Sequence, residues 1–198
     1  MARIKWSESP MIGADFKLKW RYVLAHAMVV ALANLLVLYP FPFAPTVLTW
    51  AAFVSPISFF ITDLCNRRHG VRATRRMVCA SFIVAVLGSL LTAEYRIAIA
   101  SGAAFLVAQS VDAIIFDQLR GRVWWVAPTV SGVVASVVDS TIFFVSAFYR
   151  SNTPWISWAF ADYAIKLSMI FVILPLYGSI VFRTSGLSPT TVTEGEDA

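Results

Sequence analysis

Five ionisable side chains, Asp63, Asp112, Asp139, Asp162 and Lys166, stand inside long apolar stretches of this sequence, joined there by His26 and by the amides Asn34 and Gln109. Inside a bilayer such groups are expensive; they turn to the protein interior, pair with one another and mark the path of a substrate or ion. A single buried polar side chain can serve only as glue between helices. Eight of them, in five of six apolar runs, describe a polar column. The segments "DAIIF" (112–116) and "DSTIF" (139–143) each set a phenylalanine four residues after an aspartate, so that Asp112 and Phe116, and Asp139 and Phe143, share one face of a helix. A carboxylate accepts two neighbouring N–H donors and an adjacent ring offers a flat apolar surface. Together they suit a planar heterocycle such as the edge of a guanine-like base. The five-residue pattern is short and also arises by chance in a phenylalanine-rich chain, but Ser140 and Thr141 add hydroxyls beside Asp139.

The elements that must position these groups are membrane helices. Of the 198 residues, 59% are hydrophobic and 14% charged, and mean hydropathy is +0.73. Soluble domains run at about 45–50% apolar and about 25% charged. Six stretches approach the roughly 20 apolar residues that a span requires: 20–39, 46–65, 77–93, 97–116, 123–148 and 156–182. The expected organisation is a cytoplasmic or interfacial N-terminal segment (1–19, with Trp6 and Met11 as surface contacts), an all-α domain of six transmembrane helices (20–183) and a polar, acidic, disordered cytoplasmic tail (184–198). No cleavable signal is visible, so the first apolar run is expected to stay in place as a helix. Three prolines in "YPFPFAP" predict a stiff turn between the first two spans.

Charge placement sets the expected orientation. Arg3, Lys5, Lys17, Lys19 and Arg21 precede the first span; Arg67, Arg68, Arg72, Arg75 and Arg76 follow the second; Arg120 and Arg122 follow the fourth, and Arg183 the sixth. The three remaining connections hold only Arg96 and Arg150. The positive-inside rule then puts both termini in the cytoplasm. Counting about 1.5 Å per helical residue places Asp139 roughly 14 Å, and Lys166 about 15 Å, below the outer face. The two are level near the midplane and predict a buried pair. Asp162, one turn from Lys166, is a second partner. Asn34 falls in the same outer layer; Asp63, Gln109, Asp112 and His26 fall deeper.

Catalysis finds no support. The chain has no HExxH, no GxSxG, no Walker motif and no glycine-rich phosphate loop. Its two histidines and two cysteines have no metal-ligand spacing, so neither a metal nor a cofactor is expected. The basic clusters flank spans and read as topogenic rather than as nucleic-acid binding.

The motifs "FFITDLCNRRHGVRATRR", "SVDAIIFDQLRGRVWWVAPT", "VVDSTIFF" and "DYAIKLSMIFVILPLYG" resemble, in order, those of the VUT family of six-span queuosine-precursor transporters, whose fold is related to the substrate-binding components of energy-coupling-factor vitamin transporters. The resemblance covers about residues 26–178. It implies a bacterial inner-membrane protein that takes up a 7-deazaguanine (preQ0, preQ1 or queuine), without enzymatic activity. Carried over residue by residue, it assigns Thr62 and Asp63, Gln109 and Asp112, Asp139 and Ser140, and Asp162, Tyr163 and Lys166 to the family's motifs, with His26 and Asn34 on the first span. His69 and Thr74 depart from the family's basic loop. The substrate-binding set expected on both grounds is Asn34, Asp63, Gln109, Asp112, Phe116, Asp139, Ser140, Phe143, Asp162 and Lys166, with His26, Thr62 and Tyr163 accessory. Lys166 is assigned mainly to charge balance. Membrane lipid and the small-molecule substrate are the expected partners; self-association and ATPase or coupling subunits are compatible with the sequence and not required by it. The alternative is a substrate-capturing subunit of an ATP-driven transporter, for which "AMVVA" (27–31) offers a small-residue face on the first span.

Overall fold

The computed structural model describes residues 15–44, 48–92 and 95–185. The expectations for residues 1–14, for Pro45 and for 186–198 lie outside them. Among the described residues five helices follow one another: α1 (Asp15–Leu36), α2 (Ala51–Thr92), α3 (Tyr95–Leu119), α4 (Val126–Phe148) and α5 (Trp155–Ser185). Three segments, Tyr95–Leu119, Val126–Phe148 and Trp155–Arg183, are each long and apolar enough to cross a membrane, and Trp20–Leu36 forms a shorter apolar helix.

The distribution of side chains is that of a membrane protein. Leu24, Met28, Leu32, Ile83, Leu87, Ile99, Phe160, Phe171, Val172 and Leu176 all point outward. His26, Thr62, Asp63, Asn66, Gln109, Asp112, Ser131 and Lys166 are buried. In water this arrangement would be inverted. In lipid it is the stable one, because the hydrocarbon solvates the apolar belt while polar groups satisfy one another inside.

Segment 51–92 departs from expectation. A loop was expected between the second and third spans; instead the basic segment is helical on both sides of Gly70, where φ is 76° and ψ 170°. Arginine is a good helix former, and only the break itself needs a residue without a Cβ, since that backbone geometry is open to glycine alone. Thr74 Oγ1 donates to the Gly70 carbonyl at 3.1 Å and closes the first turn after the break. α2 is the hub of the bundle: it packs most extensively against α1 and α3, less against α5 and only slightly against α4.

Close approach of α3 and α4 comes from small residues at four-residue spacing. Ala100, Ala104 and Ala108 on α3, and Ala127, Ser131 and Ala135 on α4, are buried where larger side chains would hold the backbones apart. The same stripes lead to Asp112 and Asp139, so the packing faces also carry the polar column. At one end of the bundle the 37–50 turn is pinned by a bridge between Pro40 and Thr49 and by aromatic contacts among Phe41, Trp50 and Phe53. Arg96 donates to the Tyr149 carbonyl at 2.8 Å and ties α3 to the turn after α4. The opposite end carries the exposed arginines 68, 72, 75, 76, 120, 122 and 183.

Candidate functional site

The polar residues gather in two layers. Toward the end bearing the 37–50 and 149–154 turns lies a cavity of about 340 Å³, within the range of small-molecule sites, about 300–1,000 Å³. Its charged wall is a triad: Lys166 Nζ lies 2.7 Å from Asp139 Oδ2 and 2.5 Å from Asp162 Oδ2. Asp162 and Lys166 sit one turn apart on α5, and Asp139 comes from α4. Ser140 Oγ donates to Asp162 at 2.6 Å, and its oxygen lies 3.2 Å from Lys166 Nζ. The Lys166 side chain is 6% exposed, whereas Asp139 and Asp162 keep 17% and 14%. The lysine is therefore the most buried of the three, and all three side chains border the cavity.

Asn34 lines the cavity from α1, as do Ser55 and Ser58 from α2 and Ser101 from α3. Five aromatic side chains, Phe105, Phe143, Phe144, Phe148 and Trp158, contribute to the wall, and small or aliphatic residues such as Val30, Ala52 and Ile97 complete it. Phe143 and Phe144 meet edge to face at 5.1 Å, and Phe148 and Trp158 at 5.5 Å. Flat rings beside two carboxylates and an amide can grip a planar ligand that carries N–H donors. Negative charge in the wall favours donors and cations over acids.

Beneath the cavity runs a hydrogen-bonded chain. Gln109 Nε2 donates to Ser58 Oγ at 2.8 Å, and Thr62 Oγ1 lies 2.6 Å from Gln109 Oε1 and 3.3 Å from His26 Nε2. Because Ser58 also lines the cavity, this chain is its floor.

Deeper still, Asp63 and Asp112 face each other across α2 and α3, with the Ser131 hydroxyl of α4 at 3.5 Å from Asp63. Both Asp112 oxygens are buried without a hydrogen-bond partner among the described residues. The nearest cation turns elsewhere. Arg67 donates through Nε to the Tyr177 hydroxyl and, at 3.4 Å, to the Trp124 carbonyl. Its guanidinium carbon lies 5.5 Å from the ring centres of both Phe116 and Tyr177. Gly178 lets Trp124 approach α5 here; a Cβ would meet the indole at 2.7 Å.

The expected site residues thus separate. Asn34, Asp139, Phe143, Asp162 and Lys166 line the cavity, and Ser140 supports their charges. Gln109, Thr62 and His26 form the floor. Asp63, Asp112 and Phe116 lie in the inner layer, away from the cavity wall, and Tyr163 is half-buried and outside that wall. The Asp-x-x-x-Phe pattern accordingly has two outcomes: Asp139 and Phe143 share the cavity, whereas Asp112 and Phe116 are packed under it. Sequence reasoning overlooked Ser58, Phe105, Trp158, Arg67 and Tyr177. Arg67 had a signal, since it follows Asp63 by one turn.

A helical membrane bundle closed around a carboxylate-rich, aromatic-walled cavity defines a protein that handles a small molecule within the bilayer. The family described as "Putative vitamin uptake transporter" matches residues 85–180. A "Probable queuosine precursor transporter" of Haemophilus influenzae is 35% identical over 67% of this chain and 68% of its own length. A "Queuosine precursor transporter" of Escherichia coli is 33% identical over 80% of this chain and 84% of its own. No solved structure matches the chain. The chain belongs to the family of queuosine precursor transporters, multi-pass membrane proteins whose named activity is transport rather than catalysis.

Proposed function

We propose that this protein takes up a 7-deazaguanine precursor of queuosine across the bacterial inner membrane. In this reading six spans cross the bilayer, with α2 contributing two of them on either side of Gly70, and both termini are cytoplasmic. The cavity bounded by Asp139, Asp162, Lys166, Asn34 and Phe143 is the substrate site. The observation that carries it is the cavity's position and chemistry: it lies at the end remote from the arginines, which the positive-inside rule makes the outer end, and it sets exposed carboxylate oxygens beside flat rings.

The chemistry follows from what a deazaguanine offers. Its ring N–H and exocyclic amine form a neighbouring donor pair, which one carboxylate accepts with both oxygens. Asp139 is the stronger candidate, because Phe143 stands one turn along the same helix as a stacking surface. Asn34 reads the carbonyl or a ring nitrogen. Lys166 holds both carboxylates in place and prevents the cavity from carrying two uncompensated negative charges. Gln109, Thr62 and His26 hold the floor through Ser58.

The test is queuosine formation in the tRNA of a bacterial strain unable to make or import precursors, expressing this chain and fed preQ0, preQ1 or queuine separately at low concentration. Queuosine appearing with one precursor supports uptake and names the substrate. Its absence with all three, in cells where the protein is correctly inserted, contradicts the proposal. Recovery only on adding coupling proteins and an ATPase would instead identify a substrate-capturing subunit.

A further inference from the structure

The inner layer is short of one positive charge. Asp63 and Asp112 are 3% and 0% exposed. The charged or titratable groups around them are Arg67 on α2 and Tyr177 on α5; α4 contributes only the Ser131 hydroxyl, and from α1 His26 reaches no closer than Thr62, the neighbour of Asp63. Arg67 directs Nε to the Tyr177 hydroxyl and Nη2 to the Trp124 carbonyl rather than to either carboxylate. Two adjoining buried carboxylates whose only shared hydroxyl donor among the described residues is Ser131 repel strongly, and such pairs hold a shared proton.

Two independent features point to the same occupant. Asn66 is fully buried and hangs by Nδ2 from the carbonyl of Ala113, the residue after Asp112, at 2.7 Å. Its Oδ1, another acceptor, has no partner among the described residues. The site is therefore rich in acceptors and poor in donors. Asp63 also borders a separate cavity of about 30 Å³ beside Tyr177, otherwise walled by apolar side chains such as Phe59, Ile170 and Leu174. One water needs about 10–15 Å³, so the cavity has room for a water beside the Asp63 carboxyl and Tyr177. A metal ion would need several ligands about one point, and no group of three or more His, Cys, Asp or Glu side chains gathers among the described residues.

We propose that Asp63 and Asp112 form a proton-binding site that couples proton movement to substrate movement; the coupling rests on the transport reading, and the proton site does not. One carboxyl O–H donates to the other carboxylate. On release that O–H bond breaks, the proton passes to water toward the arginine-rich end, and Arg67 supplies the compensating charge by turning from Tyr177 to the carboxylates. The chain Thr62–Gln109–Ser58 joins this layer to the cavity floor, so occupancy above and protonation below are in mechanical contact.

The test uses the full chain in lipid vesicles. Infrared spectra at neutral pH are expected to show a protonated-carboxyl C=O band that shifts in D₂O and is lost in the Asp63→Asn/Asp112→Asn double variant. Absence of the band in the wild type, or its persistence in that variant, overturns the proton site. In parallel, preQ0 uptake is followed under an inward proton gradient. One proton per substrate and one pH unit set a limit of about tenfold accumulation. The wild type is expected to approach it, while Asp112→Asn equilibrates preQ0 without accumulating it. Accumulation by Asp112→Asn equal to the wild type, or accumulation driven by sodium and indifferent to pH, overturns the coupling. A wild type that shows the band but carries no preQ0 overturns the coupling to this substrate and counts against the transport reading, with the proton site left standing.

Discussion

The molecule holds two triads of the same composition, two aspartates and one cation, and uses them differently. In the outer triad Lys166 lies within 2.7 Å of both Asp139 and Asp162, and the carboxylates open onto a cavity of about 340 Å³. In the inner triad Arg67 faces Tyr177 and Trp124, and Asp63 and Asp112 are closed off from the cavity. The difference lies in where the cation is tied. Held between its carboxylates, a cation makes a fixed wall of reduced negative charge whose spare lone pairs can receive a ligand. Tied elsewhere, it leaves a carboxyl pair that must find its own compensation. Composition is alike in the two layers; depth and packing separate them.

The comparison can be broken most forcefully at Lys166. Replacing Lys166 with Met strands two carboxylates, and breaking a buried charge pair in this way costs about 3–5 kcal/mol. Loss of folded protein in detergent, read by gel filtration and thermal unfolding, is the expected outcome. Asp139→Asn should be far milder on folding, because Lys166 keeps Asp162 at 2.5 Å, yet it should abolish precursor uptake. Equal instability of the two variants would show that Asp162 does not hold the lysine alone.

Gly178→Ala probes the inner layer without touching a charge. The added methyl group collides with the rigid Trp124 indole, and overpacking of this kind costs about 1–3 kcal/mol. It should displace the Trp124 carbonyl from Arg67, lower the unfolding temperature and leave equilibrium binding of substrate nearly unchanged. Phe143→Ala has the opposite signature: stability close to wild type, and precursor affinity weakened by the value of one stacked base, about 1–3 kcal/mol. The smallest effect is expected at the Gly70 break. An alanine there must adopt a positive φ of 76°, costing about 1–2 kcal/mol; it should reduce stability at the arginine-rich end, seen as faster amide hydrogen exchange in residues 68–76 alone.

Much of the outer triad was legible in the sequence. Asp162 and Lys166 are one turn apart, and Asp139 reaches the same depth by counting residues from the ends of two apolar runs. Such arithmetic works because helices in a bilayer are straight, antiparallel and bounded by known interfaces. The same count set Asp112 deeper than Asp139, but which of them meets a cavity was not legible, because "DAIIF" and "DSTIF" are alike locally and only the packing of α3 against α2 and α4 decides it. Arg67 was read with the topogenic arginines around it. Its role depends on Tyr177, more than a hundred residues away, which no local pattern connects to it. The helical continuity of 51–92 was hidden for a related reason: a run of arginines predicts a cytoplasmic location but says little about backbone conformation, and the break narrows to the single glycine that can adopt it.

The most direct test of this division of labour is equilibrium binding of the precursor to the purified protein, measured by calorimetry for Asp139→Asn and Asp112→Asn side by side, with folding verified for both. Asp139→Asn is expected to lose binding, while Asp112→Asn keeps it within a few-fold of the wild type. Loss of binding in Asp112→Asn with retention in Asp139→Asn would put the substrate in the inner layer and contradict the account.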